Sequence, residues 1–381
     1  MPEELVNAVS LVDKHTDKDR VQVEGERAEI REFVSSLTPD EIKSGGWFTR
    51  LLSLSLNSYT EKVDWQYFQE KYKGVPADGI VEQRIKMAAR YAAIEGGLSA
   101  SAYTATVAAT IGSLGGTSPA TVPAAVATVM VDVVYITRLQ LRLAYDIAVL
   151  YRVPIDTSDP DDLWKLIRVA FTIKGGEVAR EGVVKVVPVL MRPLIKRFYS
   201  KGVLAAGRAL PVVGKVLLQR NVIKIGIPLV GVPLAALVNR YTTQIAGRHA
   251  RAIFRNEARI IELAGDLSEC SRHPRLLLWV AWLVMNADGR VSDDEALLFR
   301  HLVKLVAEAH QVVDEQLAHL VDLDPEKVLR RVESEEGDLS DLLDAAARVA
   351  GVDGETNSRE RKLLAELEAR CRPSRPEAGT N

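Results

Sequence analysis

Two stretches of the chain carry residue types that could do chemistry. "NADGRVSDDE" occupies 286–295 and "GVDGETNSRE" occupies 351–360. Each sets an Asp-Gly pair ahead of a Glu at the same spacing: Asp288, Gly289 and Glu295, then Asp353, Gly354 and Glu360. Carboxylates on a glycine-bearing loop suit calcium or another hard divalent cation, which takes oxygen ligands. On the register of a calcium-binding helix–loop–helix, Gly289 takes the sixth place, Val291 the eighth and Glu295 the twelfth, where a bidentate Glu belongs. The first half of that register is missing. Val284 stands at its first place and cannot ligate, and Asn286 stands at its third. In the second copy those places hold Val349 and Gly351, with Thr356 at the eighth.

The same residues have a purely structural use. Ser292 with Glu295, and Asn357 with Glu360, match the pairing of a helix N-cap with the residue three positions on. Gly289 and Gly354 would supply the positive φ of the preceding turn. Two readings follow from the residues: helix starts alone, or a cation shared between the loops by Asp288, Glu295, Asp353 and Glu360.

The second feature is charge. The net charge of −2 conceals a strong asymmetry. Residues 182–256 contain no Asp or Glu and thirteen Lys and Arg, among them Lys185, Arg192, Lys196, Arg197, Lys201, Arg208, Lys215, Arg220 and Lys224. Residues 257–381 hold 26 acids against 16 bases, and residues 1–181 hold 25 against 20. A cationic block of this length calls for an anionic partner. Its bases alternate with Val, Leu, Ile and Phe, which suits an anionic membrane surface. The block could equally be a solvated face, or pair with the chain's own acidic end or a partner protein. Nucleic acid is disfavoured, because no zinc-finger spacing, aromatic RNA-binding motif or KH loop accompanies the charge.

Other chemistry is not signalled. His15, His249, His273, His301, His310 and His319 make no HExxH or other metal spacing, and no GxSxG or phosphate loop occurs. No catalytic residue set is expected, and hence no enzyme. Cys270 and Cys371 are far apart and form no CxxC, which fits a reducing compartment. The first twenty residues are mixed in charge without an apolar core, so a secretory signal is not expected there.

The elements that must position these residues read as helices, and the fold class expected is all-α. "TPDEIK" at 38–43 is a capping-box start with Pro39 in the first turn. In "WFTRLLSLSLNSY" the apolar residues Phe48, Leu51, Leu52, Leu56 and Tyr59 recur at helical spacing. Residues 79–95 and 132–152 read as further helices, and "PIDTSDPDDLWK" as a turn and a helix start. Between them, 96–131 is uncharged but broken by Gly112, Gly115, Gly116, Pro119 and Pro123. Two short helices around a Gly-Pro turn are expected there, as a buried pair or a membrane-inserted hairpin. Residues 225–238 are uncharged, too short for a span, and carry Pro228, Gly231 and Pro233, so a kinked, interfacial or buried helix is expected. "RLLLWVAWLVM" at 275–285 is apolar nearly all round and predicts the central helix of a small bundle, with Trp279 and Trp282 in its core. Amphipathic helices are expected at about 292–310, 325–334, 338–350 and 358–370.

Two regions resemble known families. "TVPAAVATVMVDVVYITRLQLRLAYDIAVLYRVPID" and "IPLVGVPLAALVNRYTTQIAGRHARAIF" resemble the EcsC family over about 80–255. "MNADGRVSDDE" and "VAGVDGETNSRE" resemble the TerB-like domain of tellurite-resistance proteins over about 270–370. The first resemblance implies a membrane-associated helical domain with no reaction to carry over. The second implies a small helical bundle whose acidic residues are proposed to bind a divalent metal. The expected organisation is an N-terminal helical region (1–79), an EcsC-like basic and apolar domain (80–256), a TerB-like acidic domain (257–372) and a disordered tail (373–381). The function these imply is non-enzymatic: a cytoplasmic protein held peripherally at the inner face of a membrane, in envelope or toxic-stress response. The rival reading is a soluble scaffold whose acidic end docks on its own basic block or on a partner.

Overall fold

The computed structural model describes residues 17–112, 118–171, 231–310 and 324–371. Among these residues there are thirteen helices and no strand, so the protein is all-α. They fall into two compact units, one ending at Phe254 and the other beginning at Arg255.

The first unit opens with α1 (Asp17–Ser35), α2 (Pro39–Ser44), α3 (Trp47–Thr60) and α4 (Trp65–Lys71). α2 starts as its sequence predicts. Thr38 Oγ1 accepts from the Glu41 amide at 3.2 Å, and the Thr38 amide donates to Glu41 Oε2 at 2.8 Å. Together the two bonds satisfy donors that a helix start leaves open. Two long helices follow, α5 (Ala77–Gly112) and α6 (Ser118–Leu150), then α7 (Pro160–Ala170). α1, α3, α4 and α7 all pack on α6. The core they enclose includes Ile30, Trp47, Phe48, Phe68, Ile80, Tyr135 and Leu141, all nearly inaccessible.

Residues 96–131 hold parts of two helices, as expected, but neither helix is short. Gly96 and the residues up to Gly112 continue α5, and Ser118 onward is the start of α6. The first helix runs on through Gly96 and Gly97 along an Ala-rich stretch that favours helix, and Pro119 falls in the first turn of the second, where its missing N–H costs little. Gly96 is there for space: a Cβ on it would lie 2.7 Å from the Ala235 carbonyl oxygen. No helix is long and apolar enough to cross a membrane among the described residues.

α8 (Gly231–Cys270) contributes its first part to the first unit and the remainder to the second. The second unit continues with α9 (Pro274–Met285), α10 (Asp293–His310), α11 (Pro325–Glu333), α12 (Ser340–Ala350) and α13 (Ser358–Cys371). These lie within a residue or two of the positions that periodicity predicts. α9 is the central helix, touching α10, α11, α12 and α13. Trp279 is buried and Trp282 packs on the same core, its ring 5.4 Å from that of Phe299.

Candidate functional site

The 65-residue repeat becomes a spatial pair in the second unit. In the first loop the Asp288 carboxylate accepts from the Arg290 amide at 2.7 Å, and Gly289 turns the chain at φ 77°. The Ser292 amide then donates to Glu295 Oε2 at 2.7 Å, while the Glu295 amide donates to Ser292 Oγ at 3.2 Å. The second loop repeats each step. Asp353 accepts from the Glu355 amide at 3.1 Å, Gly354 has φ 88°, the Asn357 amide donates to Glu360 Oε2 at 2.8 Å, and the Glu360 amide donates to Asn357 Oδ1 at 3.0 Å. Both are complete capping boxes at the starts of α10 and α13.

The loops also hold each other. Asn357 Nδ2 donates to Asp288 Oδ2 at 3.3 Å, and Arg359 Nη1 donates to the Asp288 carbonyl at 3.1 Å. The second-unit part of α8 braces both loops. Asn256 Nδ2 donates to Asp294 at 2.9 Å, and Arg259 Nη2 donates to the Val352 carbonyl at 2.7 Å. Glu295 and Glu360 are buried beneath this pair. Burial pushes the Glu295 carboxyl above its ordinary range; the Ser292 bonds oppose this, and Asp353 and Glu360 add to it.

This arrangement decides what the four carboxylates can do. Glu295 and Glu360 hold their own helix starts, and Asp288 and Asp353 hold their own turns. These bonds take up some, and not all, of the lone pairs that each carboxylate offers. Among the described residues no three His, Cys, Asp or Glu are grouped to hold a metal ion. As they stand, Asp288, Glu295, Asp353 and Glu360 serve a pair of cross-braced helix starts. Two of the histidines are also accounted for: His310 Nε2 contacts the Ser268 carbonyl at 2.9 Å, and His301 lies beside buried Glu257.

The nine bases named in the cationic block, Lys185 to Lys224, lie outside the described residues. What is described of the acid-free stretch is the first-unit part of α8. Its inner face is fixed by close packing. A Cβ on Gly247 would meet Ile85 at 2.8 Å, and Asn239 Nδ2 donates to Asp132 at 2.9 Å.

Beneath α8 lies a polar seam that the sequence reading passed over. Glu95 is fully buried; its Oε1 accepts from the Ser99 hydroxyl at 2.6 Å, and Arg27 Nε stands 3.1 Å from its Oε2. Arg27 also donates to Ser99 at 3.1 Å. Burial pushes the Glu95 carboxyl up to about 7; Arg27 and Ser99 act against this, and nearby Asp132 adds to it. A second buried acid, Asp146, accepts from Tyr59 at 2.7 Å and from Arg84 Nε at 2.8 Å, with Arg84 Nη2 on the same oxygen. The Asp146 charge holds Arg84 above its ordinary range despite burial. The signal was available: Glu95 and Asp132 bracket the uncharged run 96–131, and a hairpin centred on that run sets its two ends side by side.

No family model, curated protein or solved structure matches the chain.

Proposed function

We propose that the chain is a non-enzymatic protein that attaches peripherally to the inner, cytoplasmic face of a membrane through its cationic stretch 182–256, while the helical bundle that follows is a module for a partner protein. The observation that carries this reading is the stretch 182–256: thirteen bases and no acid, interleaved with branched and aromatic apolar residues. Such a stretch suits the headgroup layer, with bases toward anionic lipid and apolar groups toward the acyl boundary. The resemblance to the EcsC family points the same way. The resemblance of the second unit to the TerB-like domain supports a role in envelope or toxic-stress response.

The test is co-sedimentation of the full chain with phosphatidylcholine vesicles, with and without phosphatidylglycerol. Pelleting is expected only with the anionic lipid and is expected to weaken at high salt. Each surface base near the bilayer contributes about 1 kcal/mol. Lys196→Glu, Arg197→Glu and Lys201→Glu together are therefore expected to weaken association about a hundredfold. A folded triple variant that pellets like the unaltered chain refutes the reading. An unaltered chain that ignores anionic vesicles favours the scaffold, in which the acidic end occupies the basic block.

A further inference from the structure

We infer that an exposed stripe of α8, running through Leu237, Tyr241, Ile245 and Arg248, is a lipid-contacting surface of the first unit. The inference rests on the membrane reading above and locates part of that contact on a described helix. Its starting point is exposure. Among the described residues five large apolar side chains are exposed, and three of them, Tyr241, Ile245 and Ile253, fall within thirteen residues of α8. Tyr241 is 63% exposed and Ile245 40%. They are one turn apart, with half-buried Leu237 a turn before and exposed Arg248 a turn after. Isolated apolar side chains on a surface need no explanation, but a row of them on successive turns does.

The helix cannot rotate to hide this row. Its opposite face is already spent in the interior: Ala236, Asn239, Thr243, Ala246, Ala250 and Phe254 are buried. Gly247 lets it sit directly on Ile85 and Leu143, and Gly96 of α5 lets the Ala235 carbonyl approach. Contacts this close fix the helix about its own axis, so the stripe faces away from the core by construction.

Charge selects the occupant. α8 has no acid from Gly231 to Asn256. The acids of the unit that reach it bond on its inner side and flank: Arg251 takes Asp78 and Glu82, and Asn239 takes Asp132. Arg240 and Arg248 pair with no carboxylate among the described residues. The stripe therefore offers an aromatic ring with a polar tip, aliphatic groups, and arginines whose stems can lie along apolar surface while their heads stay in water. That combination suits the boundary between anionic headgroups and acyl chains, where tyrosines concentrate.

Full-length protein with Tyr241→Ser and Ile245→Ser is compared with the unaltered chain and with the Lys196/Arg197/Lys201 reversal, on phosphatidylcholine vesicles with and without phosphatidylglycerol. Both serines replace exposed groups, so an unchanged melting temperature serves as the folding control. Association is expected to fall about tenfold. A Tyr241→Trp chain is expected to show an added emission that shifts to the blue on anionic vesicles. If the unaltered chain pellets, the double-serine chain pellets equally and the new tryptophan does not shift, the stripe is refuted while the membrane reading stands. If the unaltered chain does not bind, both fall. If the two serines abolish self-association of the unaltered chain and leave vesicle binding intact, the stripe belongs to a second copy, and the lipid assignment is overturned.

Discussion

Asn357 and Asp288 stand 69 positions apart in the chain, yet the Asn357 side-chain amide donates to the Asp288 carboxylate at 3.3 Å. One bond thus joins the cap of α13 to the turn that precedes α10. Each loop ends a helix, turns at a glycine with positive φ, and starts the next helix with a reciprocal cap. Cross-bracing makes the pair a single corner, which gives the repeated acidic motif a structural role.

The caps give the first prediction. Ser292→Ala removes the acceptor for the Glu295 amide and is expected to cost about 1 kcal/mol in urea unfolding, as a lost N-cap typically does. Asn357→Ala is expected to cost more, because it also removes the bond to Asp288. Millimolar calcium is expected to leave the melting temperature unchanged in every case. A calcium-dependent rise that vanishes in Asp288→Asn with Asp353→Asn would show that the carboxylates leave their caps for a cation.

The second unit was largely legible in the sequence, and the reason is local. Its helices are short, amphipathic and bounded by cap residues such as Ser292, Asp324 with Pro325, and Asn357, each readable within a few positions. Periodicity also placed α9 at the centre. The first unit was less legible, because its decisive features are long-range. Gly96 reads only as the start of an uncharged run until the Ala235 carbonyl is known to sit against it. Likewise, Glu95, Asp132 and Asp146 look like stray charges until the fold brings Arg27, Asn239 and Arg84 to them. The sequence offered both a capping and a ligating use for the loop carboxylates, but it could not show that each one holds a backbone amide and that the two loops brace each other.

Two glycine substitutions separate close packing from helix propensity. Gly96→Ala sets a methyl 2.7 Å from a backbone oxygen that cannot move without shifting α8, and is expected to cost about 1–3 kcal/mol. Gly25→Ala, in the middle of α1, meets nothing within 4 Å and is expected to stabilise by about 0.5–1 kcal/mol. Equal effects at the two sites would contradict the close approach of α5 and α8.

Breaking the buried pair of Arg84 and Asp146 is expected to be severe. Asp146 is fully buried and Arg84 supplies two of its donors. Arg84→Met leaves the carboxylate with Tyr59, and removing one member of a buried pair typically costs about 3–5 kcal/mol. Arg84→Met with Asp146→Leu is expected to recover most of that loss, since no charge then remains stranded. A single Arg84→Met chain within about 1 kcal/mol of the unaltered protein would mean that the pair is dispensable.

Glu95 yields a pH dependence whose sign can be worked out. Its carboxyl is raised from 4.5 in the unfolded chain to about 7 in the folded one, chiefly by burial. The folded state therefore holds this proton more tightly than the unfolded state does. The contribution is fully present below about pH 4.5 and is lost as pH rises through about 7. At about 1.4 kcal/mol for each unit of difference, the span is about 3 kcal/mol. Glu95→Gln keeps the shape and the bond to Ser99 but has no proton to lose. The unaltered chain is therefore expected to lose stability against the Gln variant between pH 5 and 8, in urea titrations at fixed salt. Arg27 adds a second expectation. At pH 8 it faces a charged partner in the unaltered chain and a neutral amide in the variant, so their pair offsets part of the loss, while the difference stops changing because Glu95 is then ionised in both folded and unfolded chains. Parallel stability curves across this range would place Glu95 in its ordinary ionised state and assign the seam's role to the Arg27 pair alone.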